Sequence, residues 1–276
     1  MNHSQQNLLE LAQAAENRHD LDVAIEKLEE ALDYGYSQKI VLELVRVFLK
    51  TKKEDRAYAL IKEEPDLFSQ TDVFNLYLKT LQANNFYIER LQLEHLLGQE
   101  LSVEIKAVTQ TEQEEIMRSF KVNKYLTSRD YQQLLKLNRE NFIAFSQSLL
   151  INPAQNFALR LVLCEDLIKL GLTQKIQVYV LGQLEDFIPA QTALLEKNTI
   201  YQEVIAGIGD RMRKSPANLS QILSEANLII GSLYPKIDKY LDEPDSFSSD
   251  IVGFIFAKNG GIHQELLEKI YRNILK

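Results

Sequence analysis

Four histidines, a single cysteine and several pairs of carboxylates are the residues of this 276-residue chain with the most obvious chemical capacity. A nucleophile needs a base within hydrogen-bond reach, and a zinc site needs clustered Cys and His ligands. His3, His19, His95 and His263 stand in none of the nucleophile, metalloprotease or zinc spacings. Cys164 shares a helical stripe with Leu161, Leu167 and Ile168, the place of a buried structural thiol rather than a reactive one. A lone cysteine also excludes an intrachain disulfide and suits a reducing compartment. Gly207-Ile208-Gly209 is a fragment of a dinucleotide fingerprint, but it lies inside a helical pattern with no strand before it. It reads instead as a helix–helix packing site or a kink. No Gly-rich, Lys-terminated phosphate loop is present, and Glu29-Glu30, Glu63-Glu64 and Glu114-Glu115 read as solvated helix faces. The expectation is a protein that is not an enzyme, with no catalytic residues, no metal and no cofactor.

The net charge of -8 argues against nucleic acid or an anionic membrane as partner, since both demand a surplus of Lys and Arg. The N-terminus is polar and lacks the basic and apolar stretches of a signal peptide. No apolar run approaches the roughly 20 residues that span a bilayer. These features together predict a cytoplasmic protein.

Around these residues the periodicity is helical. Leu8, Leu11, Ala12 and Ala15 line a first helix, and Asp20 caps a second that carries Val23, Ala24, Ile25, Leu28, Ala31 and Leu32. Val41, Leu44, Val45 and Phe48 line a third, and Ala57, Leu60 and Ile61 a fourth, which Pro65 stops. Ala24 and Ala57 are 33 residues apart, as are Leu28 and Ile61, and Leu8 and Val41. A third pair, about 70–83 and 86–97, matches in length and ends at Gly98. A period near 34 built from helix–turn–helix units resembles the tetratricopeptide repeat (TPR). The large and small residues at Leu8, Leu11, Ala12, Ala15, Ala24, Leu28 and Ala31 follow its pattern. The second unit departs from it at Val45 and Glu64. The resemblance implies a groove lined by the first helix of each unit, and it places Gln13, Asn17, Arg46 and Lys50 in that groove. Arg46 and Lys50 would then form a cationic spot suited to a partner's carboxylate.

After Gly98 the rhythm changes. Thr111 to Glu114 has the form of a capping box, and Thr127 or Ser128 caps the helix after it. Asn152-Pro153 reads as a cap followed by proline at the first helical position. Ile176, Val178 and Val180 alternate with Gln177 and Tyr179, and Gly182-Gln183 follows as a two-residue type II′ turn of a β-hairpin at 175–188. Helices resume at 199–213, from 215 to about 230, near 246–258 and at 261–275, while 242–250, rich in Asp, Ser and Pro, reads as a mobile loop. The Leu-rich helix at 159–170, the hairpin ending in Pro189, the helix with Tyr201 and the segment Leu228 to Pro235 follow in an order similar to a family of uncharacterised TPR-containing proteins of Gram-positive bacteria. That resemblance implies a repeat array joined to a second helical domain with a small hairpin.

The fold class predicted is therefore mainly α, with a TPR-like array over 1–98 and an α-helical domain with one β-hairpin over 99–276. The function that follows is a non-catalytic adaptor or scaffold that binds a protein or peptide. Two alternatives stand beside it. One is a homo-oligomer that associates through the stripe Ile262, Leu266, Leu267, Ile270, Tyr271, Ile274 and Leu275. The other is the sensor half of a peptide-responsive regulator, with a separate protein contacting DNA.

Overall fold

The computed structural model describes residues 1–123 and 125–274, with Lys214 described by its backbone alone. Leu275, the last residue of the stripe named above, lies outside them. Among the described residues are fifteen α-helices and one two-stranded antiparallel hairpin, a mainly α fold. They form two compact units: residues 1–94 with 98–142, and residues 95–97 with 143–276. The change of rhythm at Gly98 is therefore not where the compact units divide.

The first unit opens with α1 (His3–Asn17) and α2 (Leu21–Asp33), then α3 (Gln38–Lys50) and α4 (Glu54–Lys62), then α5 (Thr71–Asn84) and α6 (Tyr87–Leu97). Asn2 and Gln5 form a capping box that starts α1, and the Asp20 carboxylate accepts the Val23 N–H to start α2. The buried residues repeat at 33. Ala24, Ile25, Leu28 and Ala31 of α2 correspond to Ala57, Tyr58, Ile61 and Glu64, and all eight are buried. Ile40, Leu44, Val45, Val47 and Phe48 of α3 correspond to Val73, Tyr77, Leu78, Thr80 and Leu81 of α5, again all buried. The third pair thus continues the repeat through its first helix, not in length alone. The register is lost only after the α5–α6 turn. There Asn85 adopts the left-handed conformation (φ 57°) and shortens the connection, so that Ile88, Glu89 and Gln92 take the buried positions.

One expected core residue is outside the core. Leu11 is 54% exposed, whereas Leu44, its equivalent one repeat later, is 2% exposed. The face of α3 that carries Ile40, Leu44 and Val47 packs on α2, while the corresponding face of α1 carries Asn7, Leu11 and Ala14 in solvent. Leu9 is buried in its place. Large side chains fully buried in this way each contribute about 1.5–3 kcal/mol.

Two further helices complete the unit, α7 (Gln110–Val122) and α8 (Ser128–Leu134). The capping box of α7 is Thr109 with Glu112, two residues before the expected frame, and Thr127 with Asp130 caps α8. The Ile88 N–H donates to Leu135 O at 2.9 Å and the Val108 N–H to Lys136 O at 3.1 Å. These bonds tie the segment after Gly98 to the start of α6, which is why it belongs with the array.

The division falls inside α9 (Arg139–Leu150). In the second unit α10 (Phe157–Lys169) is capped by Asn156; Asn152-Pro153 lies in the preceding turn and does not start the helix. Strands β1 (Ile176–Val180) and β2 (Gln183–Phe187) pair with Ile176 opposite Phe187 and Val180 opposite Gln183. The turn is Leu181-Gly182, one residue earlier than predicted, with positive φ at both (47° and 86°). That is the type I′ pattern, which matches strand twist, and burial of Leu181 holds a leucine in a conformation it rarely adopts. Then come α11 (Thr199–Arg211), α12 (Leu219–Leu233), α13 (Ile237–Tyr240), α14 (Pro244–Ala257) and α15 (Gln264–Ile274). Most of the segment expected to be a mobile loop is the first two turns of α14, with Pro244 at a position where its missing N–H costs nothing. Gly207 is a packing site: a Cβ there would come within 2.6 Å of the Ser248 hydroxyl on α14. No helix among the described residues is long and apolar enough to cross a membrane.

Candidate functional site

The four groove positions lie on α1 and α3. Gln13 and Asn17 are exposed on α1, and Arg46 and Lys50 are exposed on α3. The structure gives both cations partners within their own unit. Arg46 Nη1 pairs with Glu43 Oε2 at 2.6 Å on the same helix, and Lys50 Nζ reaches across to Glu16 Oε2 on α1, also at 2.6 Å. Glu16 is mostly buried and its Oε1 has no hydrogen-bond partner. The spot is therefore locally neutralised at Lys50, while Arg46 holds a solvent-exposed pair of the kind worth about 0–1 kcal/mol.

The 33-residue register extends this row further than the sequence reading did. Gln13 on α1 corresponds to Arg46 on α3 and to Lys79 on α5, and all three are exposed. Lys79 makes no ion pair among the described residues. It was missed because the third pair had been matched by length alone. The signal that finds it is the offset shared by Ile40 and Val73, Val45 and Leu78, and Phe48 and Leu81.

What fixes α5 and α6 behind that row is a buried carboxylate. Glu89 Oε2 accepts from the Tyr58 hydroxyl at 2.7 Å, and Oε1 accepts from the Tyr77 hydroxyl and from Lys62 Nζ at 2.7 Å. Tyr58, Tyr77 and Glu89 are buried, and Lys62 is about 39% exposed by side chain. Burial first, and then the Glu89 charge, pushes the Tyr77 phenol far above its ordinary value. With both phenols neutral and donating, both carboxylate oxygens are satisfied.

The remaining chemistry is dispersed. A cleft of about 320 Å³ between α7 and α8 is walled by Val108, Ile116 and Phe120, with Lys136 at its edge. Burial lowers the Lys136 amine, against the pull of Glu54. His263 Nδ1 lies 2.8 Å from Asp250 Oδ2, which also accepts the His263 N–H, so this carboxylate caps the last helix. Among the described residues no serine hydroxyl or cysteine thiol bonds to that ring, and no group of three or more His, Cys, Asp or Glu could hold a metal ion. Cys164 is buried, and burial pushes its thiol well above the usual range, which suppresses the thiolate. No protein-family model matches the chain, and no curated protein or solved structure is detectably similar to it.

Proposed function

We propose that the chain is a non-catalytic adaptor whose TPR-like array holds an acidic segment of a protein partner along its first helices. One observation carries the reading: Gln13, Arg46 and Lys79 stand exposed at one repeat position on three successive first helices. An extended peptide laid across them would meet an amide, a guanidinium and an ammonium in turn. Arg46 can exchange its exposed Glu43 pair for a ligand carboxylate at little net cost, and the bidentate geometry of its guanidinium favours that exchange. Asn17 and Lys50 form the flank, where Glu16 balances Lys50 and discourages a second acidic contact. Cytoplasmic residence belongs to the same proposal, supported by the one buried free thiol.

The homo-oligomer reading draws less support. Leu267 and Ile270 of its stripe are buried within their own unit, and Tyr271 donates its hydroxyl to Glu225 on α12. The test is a peptide array in which acidic, basic and neutral sequences are probed with wild type and with the folded Arg46→Glu/Lys79→Glu variant. Wild type should select acidic sequences and the variant should lose that selection. Equal selection by both proteins would remove this row as the binding surface.

A further inference from the structure

The second unit contains a charge that nothing in the fold balances. Arg160 on α10 is only 8% exposed. Its Nη2 donates to Ser232 O at 3.0 Å, and its Nε is buried with no partner. A guanidinium keeps its proton at any physiological pH, so burial cannot neutralise it as it would a lysine. Buried charges in folded proteins are paired, because a lone one forgoes its hydration without recovering it. A single backbone carbonyl leaves most of the five N–H donors of the fork unused.

The acids nearby are engaged elsewhere. Glu165 Oε1 accepts the Leu195 N–H at 3.2 Å, and Asp166 Oδ1 lies 3.5 Å from Lys169 Nζ. The titratable groups that feel the Arg160 charge are Cys164, one turn along the same helix, and Tyr240 on α13. Burial pushes the Cys164 thiol well up, and burial with the help of Glu185 pushes the Tyr240 phenol up to about 12. Both are neutral near pH 7, so neither supplies the missing negative charge. Glu185 on β2 accepts a bond of 3.4 Å from the Tyr240 hydroxyl but pairs directly with Lys239. The Tyr240 bond is long enough that the hydroxyl can turn to another acceptor.

We propose that Arg160 anchors a small-oxyanion site in the second unit, which takes a carboxylate or phosphate group against α10 with Tyr240 as its second donor. The two ligand types share the feature that matters, a pair of anionic oxygens matched to a planar fork of N–H donors. A bound anion would satisfy the orphaned Nε and neutralise the buried cation. Binding to the native state alone must then raise thermal stability in a saturable way.

The experiment is thermal unfolding of the full chain at constant ionic strength, with chloride replaced by acetate or by inorganic phosphate from about 1 to about 100 mM. Wild type should gain midpoint temperature along a saturating curve with at least one of the two anions, and the stronger response identifies the preferred group. Arg160→Met, of similar length and uncharged, should show no saturating component. Tyr240→Phe should retain the response at weaker apparent affinity. Absence of a saturable rise in wild type, or an equal rise in Arg160→Met, overturns the proposal. Should Arg160→Met not fold, isothermal titration of wild type with each anion decides instead: heat saturating at one equivalent supports the site, and no heat with either anion overturns it.

Discussion

The pair α1–α2 and the pair α5–α6 fill equivalent places in the array, yet they close by different means. Between α1 and α2 the interior is apolar, with Ala15, Ala24, Leu28 and Ala31 all fully buried. Small residues there let the two backbones approach, and neighbouring large ones fill the space. Between α5 and α6 the corresponding interior holds Glu89, bonded to Tyr58, Tyr77 and Lys62. The difference begins with the turn. A left-handed Asn85 shortens the α5–α6 connection and rotates α6, so a residue that would otherwise face outward is brought inside. The repeat thus tolerates a buried carboxylate where both of its oxygens are satisfied.

The largest expected effect breaks the polar closure. Glu89→Ala should destabilise the chain by about 3 kcal/mol in chemical denaturation, because two buried hydroxyls lose their acceptor. Lys62 adds little to that figure, since its ammonium remains partly solvated. Glu89→Gln should cost less, as the amide oxygen still accepts one hydroxyl. Equal midpoints for wild type and Glu89→Ala would mean that the pair closes by apolar contact after all. The matching change in the apolar closure is Ala24→Leu, which should overpack α1 against α2 and cost about 1–3 kcal/mol. An unchanged midpoint and slope would contradict the 0% exposure of Ala24.

A pH titration sharpens the same contrast. Tyr77 has a native pKa raised by burial and by Glu89, whereas its unfolded value is about 10. The native state therefore keeps a proton that the unfolded state releases above pH ~10. The stabilising contribution is complete below that pH and declines above it by about 1.4 kcal/mol per pH unit. Tyr77→Phe should flatten this part of the stability curve. Cys164 adds a similar decline that starts near its unfolded value of about 8.5, and Cys164→Ala should remove that earlier component. Curves that superimpose for wild type and both variants would place these groups in solvent.

How far the sequence could reach is visible in these same residues. Ala24 with Ala57 and Leu28 with Ile61 are legible because spacing records which residues share a helix face. Leu11 is not legible in that way, since spacing does not say whether another helix covers the face. The capping frame of α7 was ambiguous because Thr109 to Glu112 and Thr111 to Glu114 fit the same pattern two residues apart. Pro244 was read as a loop residue from its polar neighbours, although proline also favours a first helical turn. Glu89 and Arg160 look like surface residues in sequence, because their burial depends on a turn and on helices far along the chain. Of the candidate site, Gln13, Asn17, Arg46 and Lys50 followed from the repeat, and Lys79 needed the third register. The pairing of Lys50 with Glu16 is a tertiary contact that no local pattern records.

Exposed charges matter least for stability. Lys50→Ala should change it by about 0–1 kcal/mol, as the Glu16 pair is largely in solvent on the lysine side. A larger loss would show that the half-satisfied Glu16 depends on that lysine.

The most direct measurement is a binding titration of the best acidic peptide from the array, labelled and followed by fluorescence anisotropy at rising salt. The partner-binding account predicts that wild-type affinity falls steadily as ionic strength increases. It also predicts that Arg46→Glu/Lys79→Glu, with an unchanged unfolding midpoint, binds weakly at every salt concentration. Affinity that is insensitive to salt, and equal in the folded variant, would contradict the account.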